Sequence, residues 1–349
     1  MGKHLITGGS GYVGNFITKK LSEMGEEIIS LDIIENNLKF NNVEYVIGSV
    51  LDKELINSLV SSCDYVHHNA ALVPLTKSGN DFNKVNLRGT SIVANAAINH
   101  SIKHLSHMSS SAVFGLPNEL PLNNFSERKP VEIYGESKKD AEDLVMSLIA
   151  SNPNFSCSII RPRTILGTDR LGIFELLFRW ISKGKDIFVI GEATEPFQFA
   201  HIEDIVNASI NSCIKRNKGV FNIGTLEFNS LTQDLEALIE FANTKSRIIH
   251  LPESLTINGL KIMDKLNLSP FAPWHYLTYH KPFYFDSSYV YDQLNYLPKG
   301  SNIEIMIESY KSYLSNLNQH NISVSSPHKS KLKSTFIDLT ANLISKINF

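Results

Sequence analysis

A chain of 349 residues, 42% of them hydrophobic, can bury a sizeable core in one large or two modest domains. Its net charge of −2 and pI of about 6.6 present no basic face to a nucleic acid. Cys63, Cys157 and Cys213 are scattered without metal-ligand spacing, which suits a reducing compartment and predicts no metal. No apolar run approaches the roughly 20 residues of a membrane span, and a strand beginning at residue 4 leaves no room for a signal peptide, so a cytoplasmic protein is expected.

His4-Leu5-Ile6 is a short apolar run with the length of a buried parallel strand. Thr7-Gly8-Gly9-Ser10-Gly11-Tyr12-Val13-Gly14 follows, and then apolar positions 13, 16, 17 and 21 at helical spacing. Glycines on a strand-to-helix turn are the context that a dinucleotide site requires. Gly8 or Gly9 permits the turn, Gly11 lets a pyrophosphate approach the backbone, and Gly14 lets helix and strand pack closely. Free N–H groups at the helix start would meet the phosphates. Glu27-Ile28-Ile29-Ser30-Leu31-Asp32 is the next strand, and Asp32 lies eighteen residues beyond Gly14. A carboxylate there accepts both ribose hydroxyls of NAD and repels the extra phosphate of NADP.

Strand and helix then alternate: a strand at 43–47, a helix at 52–61, Asp64-Tyr65-Val66-His67-His68 opening into Asn69-Ala70-Ala71, a helix at 82–99, a strand at 104–108, a helix at 135–150 and a strand at 158–160. This predicts an α/β protein with a Rossmann-type doubly wound parallel sheet and ligands at its carboxyl edge. His67 and His68 are expected to pack or to bond the backbone. Beyond 165 the pattern changes, predicting a smaller mixed α/β C-terminal substrate lobe. A helix is expected at 172–184, strands at 187–190 and 199–201, a strand at 220–223 returning to the main sheet, helices at 231–243 and 302–315, and an irregular stretch at 268–285. The predicted division is a cofactor domain at 1–164 with 199–226 returning to it, a substrate lobe at 165–198 and 227–315, and a tail at 316–349. In that tail Leu332, Phe336, Leu339, Leu343 and Ile347 recur at helical spacing behind Lys329, Lys331 and Lys333, suiting a docked helix or peripheral membrane contact.

Tyr134 and Lys138 in Tyr134-Gly135-Glu136-Ser137-Lys138 are four apart and share a helix face. Free tyrosine, with a pKa of about 10, is a poor base at neutral pH, and a neighbouring ammonium favours its phenolate. Ser109-Ser110-Ser111-Ala112-Val113-Phe114-Gly115 leaves the fifth strand, where a hydroxyl can bond the substrate oxygen that becomes a carbonyl.

These motifs, with Val85-Asn86-Leu87-Arg88-Gly89-Thr90, Arg161-Pro162 and His201-Ile202-Glu203-Asp204, resemble the extended short-chain dehydrogenase/reductase superfamily, in its NAD-dependent epimerase/dehydratase branch. The resemblance runs from residue 1 to about 315. It implies an NAD cofactor and a Ser/Tyr/Lys mechanism, with Ser110 as the catalytic hydroxyl and Ser111 as second choice. It places Gly8, Gly11, Tyr12, Val13, Gly14, Asp32, Ser49, Val50, Ala70, Ala71, Tyr134, Lys138, Arg161 and Pro162 around the cofactor. Ser49 stands where relatives often have an aspartate against adenine. Asn86 would brace the inner strands, and helices 82–99 and 135–150 would pair two copies in a homodimer.

Departures from the family pattern narrow the reaction. Ser111 and Ala112 stand where dehydratases and decarboxylases carry acids, which leaves epimerisation or plain oxidoreduction. Thr164 replaces a common asparagine and Phe197 a common phosphate-gripping arginine; Arg163, Arg170 or Lys281 could supply that grip. His275 suits either a substrate contact or a turn. A nucleotide-sugar epimerase is the leading expectation, and an NAD-dependent dehydrogenase of an apolar, steroid-like hydroxy compound is the alternative.

Overall fold

In the computed structural model, residues 2–318 are described apart from 77, 80, 170–172, 267, 268 and 270. The predicted tail helix and Arg170 lie outside the described residues.

The N-terminal half builds β1 (Lys3–Thr7), α1 (Tyr12–Glu23), β2 (Glu27–Asp32), β3 (Val43–Ile47), α2 (Lys53–Ser61), β4 (Tyr65–His68), α3 (Thr90–Asn99), β5 (His104–Met108), α4 (Ile133–Ser151) and β6 (Cys157–Pro162). After them come β7 (Thr164–Leu166), α5 (Ile173–Ser182), β8 (Ile187–Ile190), β9 (Phe199–His201), α6 (Ile202–Lys215) and β10 (Gly219–Ile223). The chain then forms α7 (Leu231–Ala242), β11 (Ile248–Leu251), α8 (Glu253–Lys265), α9 (Pro273–Thr278), α10 (Ser288–Leu294) and α11 (Asn302–Asn318).

Seven strands pair in parallel in the order β10-β6-β5-β4-β1-β2-β3. The order reverses between β1 and β4, and the crevice at such a reversal, beyond the carboxyl ends of the strands, is where ligands bind in open α/β sheets. Alternate residues serve opposite faces. Leu5, Ile29, Val66, Leu105 and Ile159 pack with Val93, Ala97 and Val145 of α3 and α4, whereas Ile6 and Ile28 meet Ile17 and Leu21 of α1 and Ile202, Val206 and Ile210 of α6. Burial on both faces explains why these strands are near-continuous apolar runs.

A second body of apolar side chains, with Phe174, Phe178, Phe197, Phe199, Trp274, Phe283, Tyr310 and Tyr313, reaches back to Phe114, Leu122 and Tyr134. Asn302 at the start of α11 ties its parts together: it accepts from the Phe199 amide and donates to the Phe197 carbonyl and to Asp234.

Several expectations need correction. The helix expected at 82–99 is continuous, but its first part, Asn83–Gly89, is π-helical before it runs on as α3. The stretch 268–285 is not wholly irregular, because α9 starts on Pro273, whose fixed φ and missing N–H suit a first helical turn. Strands β7 and β11, which pair with β9 and β8, and helices α8 and α10 have no sequence-based counterpart.

Candidate active site

The turn after β1 is shaped by close approach. Gly8 has φ +69°, and a Cβ there would lie 2.8 Å from the Ala70 amide nitrogen. A Cβ on Gly14 would lie 2.1 Å from the Gly8 carbonyl oxygen, so helix and turn could not close. Gly11 caps α1 without a side-chain acceptor, which leaves the first helical amides to an outside anion. The Asp32 carboxylate at the end of β2 accepts from the Ser10 amide at 3.0 Å and the Ile34 amide at 3.3 Å. Each oxygen keeps a further lone pair for a ribose hydroxyl. This cradle fits a dinucleotide pyrophosphate and ribose.

The flanking positions have visible local roles. The Tyr12 hydroxyl donates to the Thr168 carbonyl at 2.8 Å, and Val13 packs between sheet and α6. Ser49 accepts from the Leu51 amide, and Val50 is buried against Gly89. The Ala70 amide donates to Thr7 Oγ1, and Asn86 clasps both the amide and carbonyl of Leu72 and bonds Ser137. Asn86 therefore braces the loop after β4 against α4 and not the inner strands.

Tyr134 lies in the first turn of α4, 8% exposed, its ring edge-on to Phe82 with centroids 5.9 Å apart. Glu132 caps that turn, its carboxylate accepting from the Tyr134 and Gly135 amides at 2.9 Å each. A Cβ on Gly135 would sit 2.7 Å from the Ala112 carbonyl oxygen, so this glycine brings the turn of α4 against the serine loop. Lys138 is buried one turn on, and its Nζ donates to the Met108 carbonyl at 2.6 Å. Its other two protons remain for other acceptors. Burial pulls this ammonium down to about 8, against the opposing pull of Glu142.

The three serines differ in environment. Ser109 is buried and donates to Glu142. Ser110 is half-buried; its Oγ accepts from the Ala112 amide at 3.1 Å, which leaves its own proton to give. Ser111 is buried, and its Oγ accepts from Arg163 Nη1 at 3.1 Å.

Glu142 is a centre that sequence reasoning missed. This fully buried carboxylate takes Arg161 Nε at 2.9 Å and Nη2 at 2.6 Å, and Arg128 Nη1 at 2.9 Å. Arg161 was expected beside the cofactor; its fork is instead spent on Glu142 and its guanidinium stacks on Phe114. Glu142→Gln would leave the buried Arg161 guanidinium without a counter-charge, while Arg128 keeps Asp143, and should cost about 3–5 kcal/mol, read as a lower urea midpoint at pH 7.5. An unchanged midpoint would sink this account.

Of the expected substrate residues, Arg163, Thr164 and Phe197 gather around Tyr279 and each other, while Lys281 is engaged with Glu253. Thr164 Oγ1 bonds the Tyr279 hydroxyl at 3.4 Å. Arg163 is buried between Phe197 and Phe283. Lys281 is paired with Glu253 at 2.7 Å, a partner no sequence pattern disclosed. His275 packs edge-on to Tyr279. His67 and His68 are buried and packed, as expected; His67 bonds Ser209 and His4, and His68 bonds Thr7 and Thr90, so their partners are side chains and not the backbone.

The model of the NAD dependent epimerase/dehydratase family matches residues 4–224. A Sinorhizobium fredii protein, "Uncharacterized protein y4nG", is 34% identical over 335 residues, 96% of this chain and 84% of its own length. A Stigmatella aurantiaca 4-hydroxy-2-methyl-3-oxo-4-farnesyl-3,4-dihydroquinoline-1-oxide ketoreductase is 29% identical over 52% of this chain and 58% of its own. The Thermotoga maritima UDP-glucose 4-epimerase, solved with UDP-glucose, superposes with a TM-score of 0.74 at 19% identity, covering 90% of this chain and 99% of its own. That likeness establishes a shared fold.

Proposed function

The chain belongs to the NAD-dependent epimerase/dehydratase family, and from that premise we propose that it is a nucleotide-sugar epimerase acting at a sugar carbinol through a keto intermediate. NAD, when bound, supplies the hydride acceptor. The Gly8–Gly14 cradle and Asp32 would hold the dinucleotide at the sheet edge. Ser110 would hydrogen-bond the reacting hydroxyl, Lys138 would stabilise Tyr134 as the phenolate, and that phenolate would take the hydroxyl proton, becoming the neutral phenol. No carboxylate stands at 111 or 112 to expel water or drive decarboxylation, and the buried Ser111 is committed to Arg163. That absence of acid directly after Ser110 is the observation that carries the reading. The solved UDP-glucose 4-epimerase of the same fold supports it.

Pairing of two copies through α3 and α4 belongs to the same reading. No helix among the described residues is long and apolar enough to cross a membrane.

One observation favours a second reading. Phe197 and Phe283 form an aromatic wall, and the ketoreductase relative acts, by its name, on a farnesylated quinoline; this suits net oxidoreduction of an apolar hydroxy compound. The two readings separate in one assay. The purified protein should carry NAD(H) and isomerise UDP-glucose or UDP-glucuronic acid without added cofactor, followed by NMR of the sugar. Steady NADH accumulation at 340 nm with a steroid alcohol, and none of that isomerisation, would favour the alternative.

A further inference from the structure

Arg163 and Arg161 leave the same edge of the sheet two residues apart, and both are buried. Arg161 has a protein carboxylate, Glu142, across its fork. For Arg163 no carboxylate among the described residues pairs with the guanidinium. Its Nε donates to the Gln198 carbonyl at 3.1 Å and its Nη1 to Ser111 Oγ at 3.1 Å, while Nη2 is buried with no hydrogen-bond partner among the described residues. The group lies between two phenyl rings, with Cζ 4.7 Å from the centroid of Phe197 and 3.9 Å from that of Phe283.

A buried cation without a counter-ion is destabilising, and an apolar side chain would fill such a box at lower free energy. Burial draws this guanidinium down to about 9. Its location identifies what would complement it. Ser111 directly follows Ser110, so the guanidinium is anchored beside the serine loop. A nucleotide diphosphate on the anomeric carbon, a ring's width from the reacting carbinol, would have to lie further off. Ser111 Oγ accepts from Arg163 and can donate its own proton to the same acceptor.

We propose that Arg163 and Ser111 form a carboxylate receptor beside the reacting carbon, so that the substrate is a nucleotide sugar carrying an acid group on its reacting ring. This rests on the nucleotide-sugar reading and narrows it. The aromatic walls exclude water from the charge-assisted bond, which is stronger and more directional there than at a solvated surface.

The test compares UDP-glucuronic acid with UDP-glucose, which differ at one carboxylate, by calorimetric titration of the NAD-loaded wild-type protein and of Arg163→Met and Arg163→Lys. Wild type should bind the uronate at least about 10-fold more tightly. Arg163→Met should bring the two sugars within about threefold of each other, and Arg163→Lys should retain part of the preference. Equal or better binding of UDP-glucose by wild type overturns the receptor and leaves the epimerase reading intact. So does a preference unchanged in a folded Arg163→Met. Binding of neither sugar removes the nucleotide-sugar reading and the receptor with it. The wild-type comparison decides the matter even if a variant does not fold.

Discussion

Replacing Tyr134 with phenylalanine should reduce nucleotide-sugar isomerisation by roughly 10²- to 10⁴-fold, the range over which a positioned acid/base contributes, while the protein still purifies with NAD and melts as wild type. The substitution removes one oxygen from a side chain that is 8% exposed and keeps the ring against Phe82. It touches neither the Glu132 cap, which holds main-chain amides, nor the bond from Lys138 to Met108. The change takes the transferable proton away while leaving the helix cap and the Lys138 anchor in place. Lys138→Met should lose activity as well, by leaving the phenolate without its ammonium. Because burial sets the Lys138 ammonium near 8, its charge is present below that pH and disappears as pH rises through it. The wild-type rate should therefore fall above about pH 8. A Tyr134→Phe protein within threefold of wild type, or a rate still climbing at pH 9.5, would remove Tyr134 and Lys138 from the chemistry.

The parts of this molecule legible from sequence are those in which neighbours along the chain are neighbours in space. Gly8 and Gly14 meet within a single turn, and Tyr134 and Lys138 within one helical turn. The continuous apolar runs of β1, β2 and β6 announce strands covered on both faces. What stayed hidden depends on side chains brought together from far along the chain. Glu142 lies nineteen residues from Arg161, and Ser111 lies fifty-two from Arg163. Neither pairing has a periodic signature, so Arg161 looked like a cofactor residue and Arg163 like a replacement phosphate grip. Lys281 misled for the same reason, its partner Glu253 being twenty-eight residues away. The cap at Glu132 was findable: an acid just before a helical run is an N-terminal signal, and here it stands two residues before the tyrosine. The strands β7 and β11 are too short for alternation to register, and only pairing with β9 and β8 makes them strands.

Acid should unfold this protein unusually early, and the reason lies in the histidines of the central sheet. His4, His67, His68, His104 and His107 are each about 1% exposed or less, on β1, β4 and β5. Burial lowers all five, His4 to about 4 and His68 and His104 to about 3, with His67 and His107 well below the ordinary value. Their hydrogen bonds run to Ser156, Ser158, Ser209, Thr7, Thr90 and one another, while both ring nitrogens of His107 lack a partner among the described residues. The folded state thus keeps these rings neutral, whereas the unfolded chain protonates them from about pH 6.5 downward. Their contribution is complete above pH 6.5 and is lost as pH falls toward their folded values, at about 1.4 kcal/mol per histidine per pH unit. Two carboxyls oppose this loss. Burial raises Asp204 to about 7 and Asp234 to about 6, so the folded state holds those protons where the unfolded chain does not, and each gains stability below its folded value. At pH 5.5 five histidines cost about 7 kcal/mol and the two carboxyls return about 3, a net loss of about 4 kcal/mol relative to pH 7.5. Against the 5–15 kcal/mol typical of folded domains, that is roughly a quarter or more of the whole. Urea titrations at the two pH values should show the loss directly. His107→Leu should reduce the slope by about one proton, and should stabilise the protein at both pH values by removing two buried nitrogens that have no partner. A midpoint that is flat or rising between pH 7.5 and 5.5 would mean that these rings are already charged, or wet, in the folded protein.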